Sequence, residues 1–278
     1  MLRVGVGVFA LLAISSTVAC GRSPAKSGAS LVIFSGSGDV YVIGLDGHGR
    51  RRLTRGRAKD IAPNGSLDGR RIAFASDRGR RFELYVMNRD GSGQRRLTDT
   101  PENAFPAWSP NGRRIAFVSN RDGNLELYAM NADGTGQRRL TRNAEADGSP
   151  AWSPDGRRIA CGCQRGGNFD IYVMRADGGG RRRLTRAPGV DADPTWSPDA
   201  RRIAFERDRG GRRGIFVMNA DGSRQQRLTQ NGGDPAWSPD GQWIALVRSG
   251  GVYVMHADGT RVRRLSRGEL PGWLPAAR

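Results

Sequence analysis

Six acidic or amide side chains hold matching places ahead of a recurring tryptophan. Counting back five residues from Trp108, Trp152 and Trp196, or from Gly65, which aligns with Trp108, gives Asp60, Asn103, Asp147 and Asp191. Counting back three from Trp196 and Trp237 gives Asp193 and Asp234. If the copies stand around a common axis, these six converge at one mouth. Carboxylates brought together repel, raise one another's pKa, and are relieved by a cation or a basic partner. That chemistry is binding of a basic or cation-bridged segment. The competing reading is structural: Asp residues cap turns, or are neutralised by Arg78, Arg121, Arg165, Arg207 and Arg209, which lie further out in neighbouring loops.

Other reactive groups are few. Cys161 and Cys163 form a C-x-C pair where the preceding copy has Phe117 and Ser119. Both point to one face of a strand, and a bridge at that spacing is expected to be strained, so free thiols are expected. The two histidines, His48 and His256, fall at turns and read as exposed turn residues. No serine lies in Gly-x-Ser-x-Gly, and no phosphate loop of the Gly-x-x-x-x-Gly-Lys-Ser/Thr type exists. Asp191 and Asp193 form Asp-x-Asp without the rest of an EF-hand loop. No catalytic residue, metal site or cofactor is therefore expected.

The chain of 278 residues carries a formal charge of +18, and of its 45 basic residues only Lys26 and Lys59 are lysines. Forty glycines and fourteen prolines argue for many tight turns and short strands. Arg3, the apolar run Val4 to Ala13, and Thr17-Val18-Ala19-Cys20 read as an export signal over residues 1–19. The last four residues resemble a bacterial lipobox, although Thr17 stands where that pattern usually has Leu. The resemblance implies a lipidated Cys20 as first mature residue, a flexible linker over 20–30, and a mature charge of +17. For an exported protein this basic, the readings are an arginine-rich solvated surface without a specific partner, or contact with anionic headgroups or wall polymers rather than nucleic acid.

The elements that position these residues come from a repeat. Leu-Thr recurs at Leu53, Leu97, Leu140, Leu184 and Leu228, with Leu265-Ser266 as a sixth copy, at spacings of 44, 43, 44, 44 and 37. Asp-Gly recurs at Asp46, Asp90, Asp133, Asp177, Asp221 and Asp258. In residues 106–141 the run Pro-Ala-Trp-Ser, then Arg-Ile-Ala-Phe-Val-Ser, then Leu-Glu-Leu-Tyr-Ala-Met-Asn, then Gly-Gln-Arg-Arg-Leu-Thr reads as four strands, A to D. Turns punctuate them too often for a stable helix. Each copy is a four-stranded antiparallel meander that cannot bury both faces alone, so the copies must stack. The first copy, from Leu31, has B, C and D but no A. The orphan run Pro271-Gly272-Trp273-Leu274-Pro275 resembles an A strand. The expected fold is all-β: a six-bladed β-propeller over residues 31–278, closed three strands plus one by the C-terminal strand. Trp108, Trp152, Trp196, Trp237 and Trp273 are then blade-to-blade packing residues rather than a ligand cage.

Trp152-Ser-Pro-Asp-Gly-Arg-Arg-Ile-Ala and Trp237-Ser-Pro-Asp-Gly-Gln-Trp-Ile-Ala-Leu resemble the Pro-Asp-Gly propeller repeat of the TolB family, also found in tricorn-type and prolyl-oligopeptidase-type propellers. The resemblance runs from Leu31 to about Pro275. It implies an envelope propeller that works by binding proteins, although TolB carries an α/β domain ahead of its propeller and this chain has no room for one. The expected function is therefore a monomeric, non-catalytic protein- or peptide-binding scaffold. It sits in the periplasm or on the outer face, anchored through Cys20 or else secreted. Rival readings are a lyase or hydrolase using the channel carboxylates, and a surface module for anionic wall polymers.

Overall fold

The computed structural model describes residues 30–100 and 102–277. The expected signal over 1–19, Cys20 and the linker as far as residue 29 lie outside the described residues. The described chain is all-β, with 24 strands and no helix. Blade 3 shows the unit: A Asn103–Trp108, B Arg114–Ser119, C Glu126–Asn131 and D Arg138–Arg139, each antiparallel to the next.

Turn chemistry sets these boundaries. In the A–B turn of blade 4, Ser153 Oγ accepts from the Arg158 amide at 2.9 Å and donates to Asp155, while the Gly156 amide returns to the Ser153 carbonyl. Strand D is shorter than the sequence suggests. In blades 1 to 5 only two residues pair with C, because the threonine side chain then takes over from the backbone, whereas blade 6, with Ser266 in that place, pairs along Arg263–Arg267. Thr141 Oγ1 accepts from the Leu127 amide at 2.9 Å, and Thr54, Thr98, Thr185 and Thr229 repeat the bond.

Six apolar clusters fill the spaces between neighbouring blades, and they account for the tryptophans. Trp108 of blade 3 packs on Ala73, Leu84 and Val86 of blade 2. Trp196 packs on Ala160, Ile171 and Val173 of blade 4, and Trp237 on Ala204, Ile215 and Val217 of blade 5. The guanidinium of the preceding blade's B strand then covers the indole: Arg71 lies 4.5 Å from Trp108, Arg158 4.6 Å from Trp196 and Arg202 4.8 Å from Trp237. The Asp-Gly and Leu-Thr repeats share a period because they touch. The glycines of these turns lie so close to the previous blade's leucine backbone (Gly134 on Leu97, Gly178 on Leu140) that a Cβ would collide.

Closure follows the same rules. Strand A of blade 1 is Glu269–Leu274, paired antiparallel with Leu31–Gly36 through Leu31–Leu274, Val32–Trp273 and Ile33–Gly272. Trp273 then buries itself against Ala245, Val252 and Val254 of blade 6, and its indole N–H donates to the Ala236 carbonyl at 2.9 Å. Gly65 replaces tryptophan in blade 2 because a Cβ there would meet the Trp273 carbonyl.

One expectation is corrected. Cys161 and Cys163 are disulfide-bonded rather than free. Their Cα atoms lie 5.8 Å apart, within the span a disulfide accepts, so the strand brings two same-face sulfurs into reach. His256 also departs from a fully exposed turn residue. It is half-buried, edge-on to Trp243 with ring centres 4.3 Å apart.

Candidate functional site

Strand A is the innermost of each blade and pairs with B along one edge, with a single further contact where Val190 of blade 5 pairs with Phe169 of blade 4, so its other edge lines the central channel. Every A strand carries proline two residues before the tryptophan position: Pro63, Pro106, Pro150, Pro194, Pro235 and Pro271. An edge strand tolerates proline because no ladder partner needs its N–H. The residue ahead of each proline has left-handed backbone: Ala62, Phe105, Ser149, Asp193, Asp234 and Leu270 have φ between 49° and 52°. Blades 2 to 6 lose register there, as between Ala192 and Thr195. Such a bulge breaks the strict alternation of strand faces and re-aims a side chain. Here it turns one residue per blade toward the axis.

The ring so formed borders a cavity of about 550 Å³ that runs along the A strands to the prolines of the A–B turns, Pro110, Pro154, Pro198 and Pro239. Its wall is divided. Blades 1 to 3 present Leu270, Ala62 and Phe105, and blades 4 to 6 present Ser149, Asp193 and Asp234.

The six residues singled out in the sequence therefore separate into two groups. Asp60, Asn103 and Asp147 each begin an A strand and Asp191 is the second residue of its own; all four are buried and held by arginine. Arg78 reaches Asp60 at 3.2 Å, and Arg121 donates to Asn103 Oδ1 at 3.0 Å. Arg165 and Arg181 close on Asp147 at 3.2 and 2.8 Å. Arg207 forks onto Asp191 at 2.6 and 2.7 Å. Arg78, Arg121 and Arg207 also lie over the stacked aromatics of their own B and C strands, at 4.4 Å from Tyr85, 4.6 Å from Tyr128 and 4.7 Å from Phe216. These clamps neutralise the first group.

Asp193 and Asp234 alone of the six border the cavity, and the structure adds Glu206, which sequence reasoning missed. Glu206 lies on strand B of blade 5 (Arg202–Arg209), where blades 2, 3 and 4 have Ala75, Val118 and Gly162. That departure from an apolar position was the available signal. Carboxylate oxygens of Asp193, Glu206 and Asp234 lie within 4.8 Å of one another. Ser149 Oγ donates to Asp193, the Asp234 amide donates to Glu206 at 3.2 Å, and Arg213 forks onto Glu206 at 2.6 and 2.5 Å. Burial pushes the Asp193 carboxyl up, opposed by Ser149 and Arg213. Burial and then the charges of Asp193 and Glu206 push Asp234 well above the usual carboxylate range. Burial likewise raises Glu206 against its Arg213 partner. One arginine faces three carboxyls, an arrangement that favours protonation or a cationic partner. It is the one such acidic group among the described residues that could hold a metal ion.

A ring of six such blades defines a β-propeller of Trp-Ser-Pro-Asp-Gly repeats. The chain belongs to the TolB beta propeller domain family, which it matches over residues 100–168 and 143–276. It is similar to the crystal structure of TolB from Acinetobacter baumannii, with a TM-score of 0.78 and 23% identity over 89% of this chain and 67% of that one. It is also similar to a putative TolB from Agrobacterium tumefaciens, with a TM-score of 0.71 and 26% identity over 87% of this chain and 91% of that one. Among curated relatives, an uncharacterized peptidase, YuxL, of Bacillus subtilis is 44% identical over 59 residues, 20% of this chain and 9% of that protein. The chain spans between 9% and 24% of the length of the first curated relatives it matches.

Proposed function

We propose that this protein is a non-catalytic binding propeller of the bacterial cell envelope, tethered through a lipidated Cys20, whose channel receives a basic segment of a partner protein or peptide. The observation that carries the reading is that Asp193 and Asp234, grouped with Glu206, stand at the wall of an otherwise proline- and aromatic-lined cavity in a strongly basic protein. A lysine or arginine side chain suits both halves of that wall. Its alkyl stem packs toward Leu270, Ala62 and Phe105, and its charge meets Asp193 and Asp234. Similarity to proteins titled TolB supports the envelope setting. The arginine-clamped residues Asp60, Asn103, Asp147 and Asp191 serve this reading as supports that hold the A strands in place.

The test is calorimetric titration of short peptides matched in length and differing in net charge. Basic peptides should bind, and Asp193→Asn/Asp234→Asn should weaken them at least tenfold while circular dichroism stays unchanged, since loss of a buried charge-assisted contact costs about 1.5–3 kcal/mol. Equal affinity for acidic and basic peptides, or an unaffected variant, overturns it. Anchoring is read separately: Cys20→Ser should move the protein out of the membrane fraction.

A further inference from the structure

Comparing the blades position by position shows where carboxylates are missing. The strand C residue two before the tyrosine (Tyr41, Tyr85, Tyr128, Tyr172) is acidic in blades 1 to 4, and the D-strand arginine closes on it: Arg52 on Asp39 at 2.5 Å, Arg96 on Glu83 at 3.6 Å, Arg139 on Glu126 at 2.9 Å and Arg183 on Asp170 at 2.5 Å. In blade 5 the acid is replaced by Gly214, which stands opposite Arg207 as Asp170 stands opposite Cys163. The arginine is kept. Among the described residues the Arg227 side chain hydrogen-bonds only to the Thr229 and Gln230 carbonyls, at 2.8 Å each, and lies 6.0 Å from the Phe216 ring centre.

A second deletion faces the first. In blade 5 Asp191 opposes Arg207, its ion-pair partner. In blade 6 the matching residue, five before Trp237, is Gly232, and Arg248 holds the place of Arg207. Arg248 is exposed, and its side chain has no ion-pair or hydrogen-bond partner among the described residues. The same holds for Arg212.

These changes meet in one cleft between blades 5 and 6, of about 650 Å³, lined by Arg212, Arg213, Arg227 and Arg248 beside Gly232 and Gly233, and by no Asp or Glu. Arg213 is committed to Glu206. The other three guanidiniums have no carboxylate partner among the described residues, and a Cβ at Gly214 or Gly232 would meet the Thr229 carbonyl or the Leu246 side chain, so neither position can supply one. Planar guanidinium donors match carboxylate and phosphate oxygens, and the volume is that of a small-molecule site.

We propose that this cleft is an oxyanion site for a small ligand bearing two carboxylate or phosphate groups, which stand in for the deleted side chains. The site is separate from the channel and faces the rim of the B–C turns and D–A loops.

The experiment titrates the protein with inorganic pyrophosphate and with succinate at low salt, by calorimetry and by thermal shift. One ligand should bind saturably, with Kd about 1 mM or tighter. Pyrophosphate binding more tightly than succinate assigns phosphate, and the reverse assigns carboxylate. Arg212→Ala/Arg248→Ala should weaken binding at least tenfold. Arg224→Ala/Arg261→Ala removes the same charge from exposed C–D turns on the opposite rim and should change affinity less than about twofold. Absence of saturation by either ligand, an unaffected cleft variant, or equal weakening by both variants overturns the proposal. Because the side chains of Arg212 and Arg248 have no partners among the described residues, and Arg224 and Arg261 are exposed, both variants should retain the wild-type melting curve.

Discussion

Replacing Trp273 by Ala tests ring closure and its energetics together. Trp273 is 8% exposed, comparable to Trp108 at 6% in the middle of the ring. A tryptophan buries about 150–250 Å², worth about 4–6 kcal/mol at 25 cal/mol per Å² as an upper estimate. Measured truncations of large core aromatics cost about 3–5 kcal/mol. The Ala236 carbonyl also loses its 2.9 Å donor, a loss of about 1 kcal/mol where water replaces it incompletely. About 4 kcal/mol is expected, a large part of a typical domain's stability. For a protein of this size that corresponds to a Tm about 8–16 °C lower. Thermal and urea unfolding followed by circular dichroism reads it, with Trp108→Ala as the comparison. The argument predicts similar losses in the two variants. It fails if Trp273→Ala melts within about 2 °C of wild type while Trp108→Ala melts far below. Deleting 269–278 should be worse, because it bares the edge of strand Leu31–Gly36 and the face of blade 6 and promotes aggregation.

Three further outcomes follow from the channel, the clamps and the disulfide. Burial and the neighbouring charges of Asp193 and Glu206 raise Asp234, so the folded chain keeps a proton there that the unfolded chain has released. Stability should fall as pH rises from the ordinary carboxylate range through the folded value, and Asp234→Asn should flatten that fall and be at least as stable as wild type near neutrality, read by urea titrations across pH. Asp191→Asn leaves the buried Arg207 fork without its charge partner and should cost about 3–5 kcal/mol in the same assay. Cys161 and Cys163 are fully buried, so native-state alkylation after mild reductant should be slow. Cys161→Ala/Cys163→Ala should lower stability by only about 1–2 kcal/mol, since the loop closed is very short.

Much of this protein is legible in its sequence because the information is local. The 44-residue spacing, the Asp-Gly and Ser-Pro-Asp-Gly turns and the strand alternation are each set by a few adjacent residues, and the missing first A strand names its own replacement at Trp273. Blade count, closure and the packing of the tryptophans follow from covering sheet faces and edges.

What the bulge does was decided only by tertiary structure. Residues two apart on a regular strand share a face, which would have kept Asp191 and Asp193 together. The left-handed turn at Asp193 sends one to Arg207 and the other to the channel. Glu206 joins Asp234 from 28 residues away, across a blade boundary. Which arginines are spent on carboxylates and which are left over, as at Arg248, depends on what stands opposite in the ring. A charge takes its properties from its neighbours in space and from the water excluded around it, and neither is written at its own position in the chain.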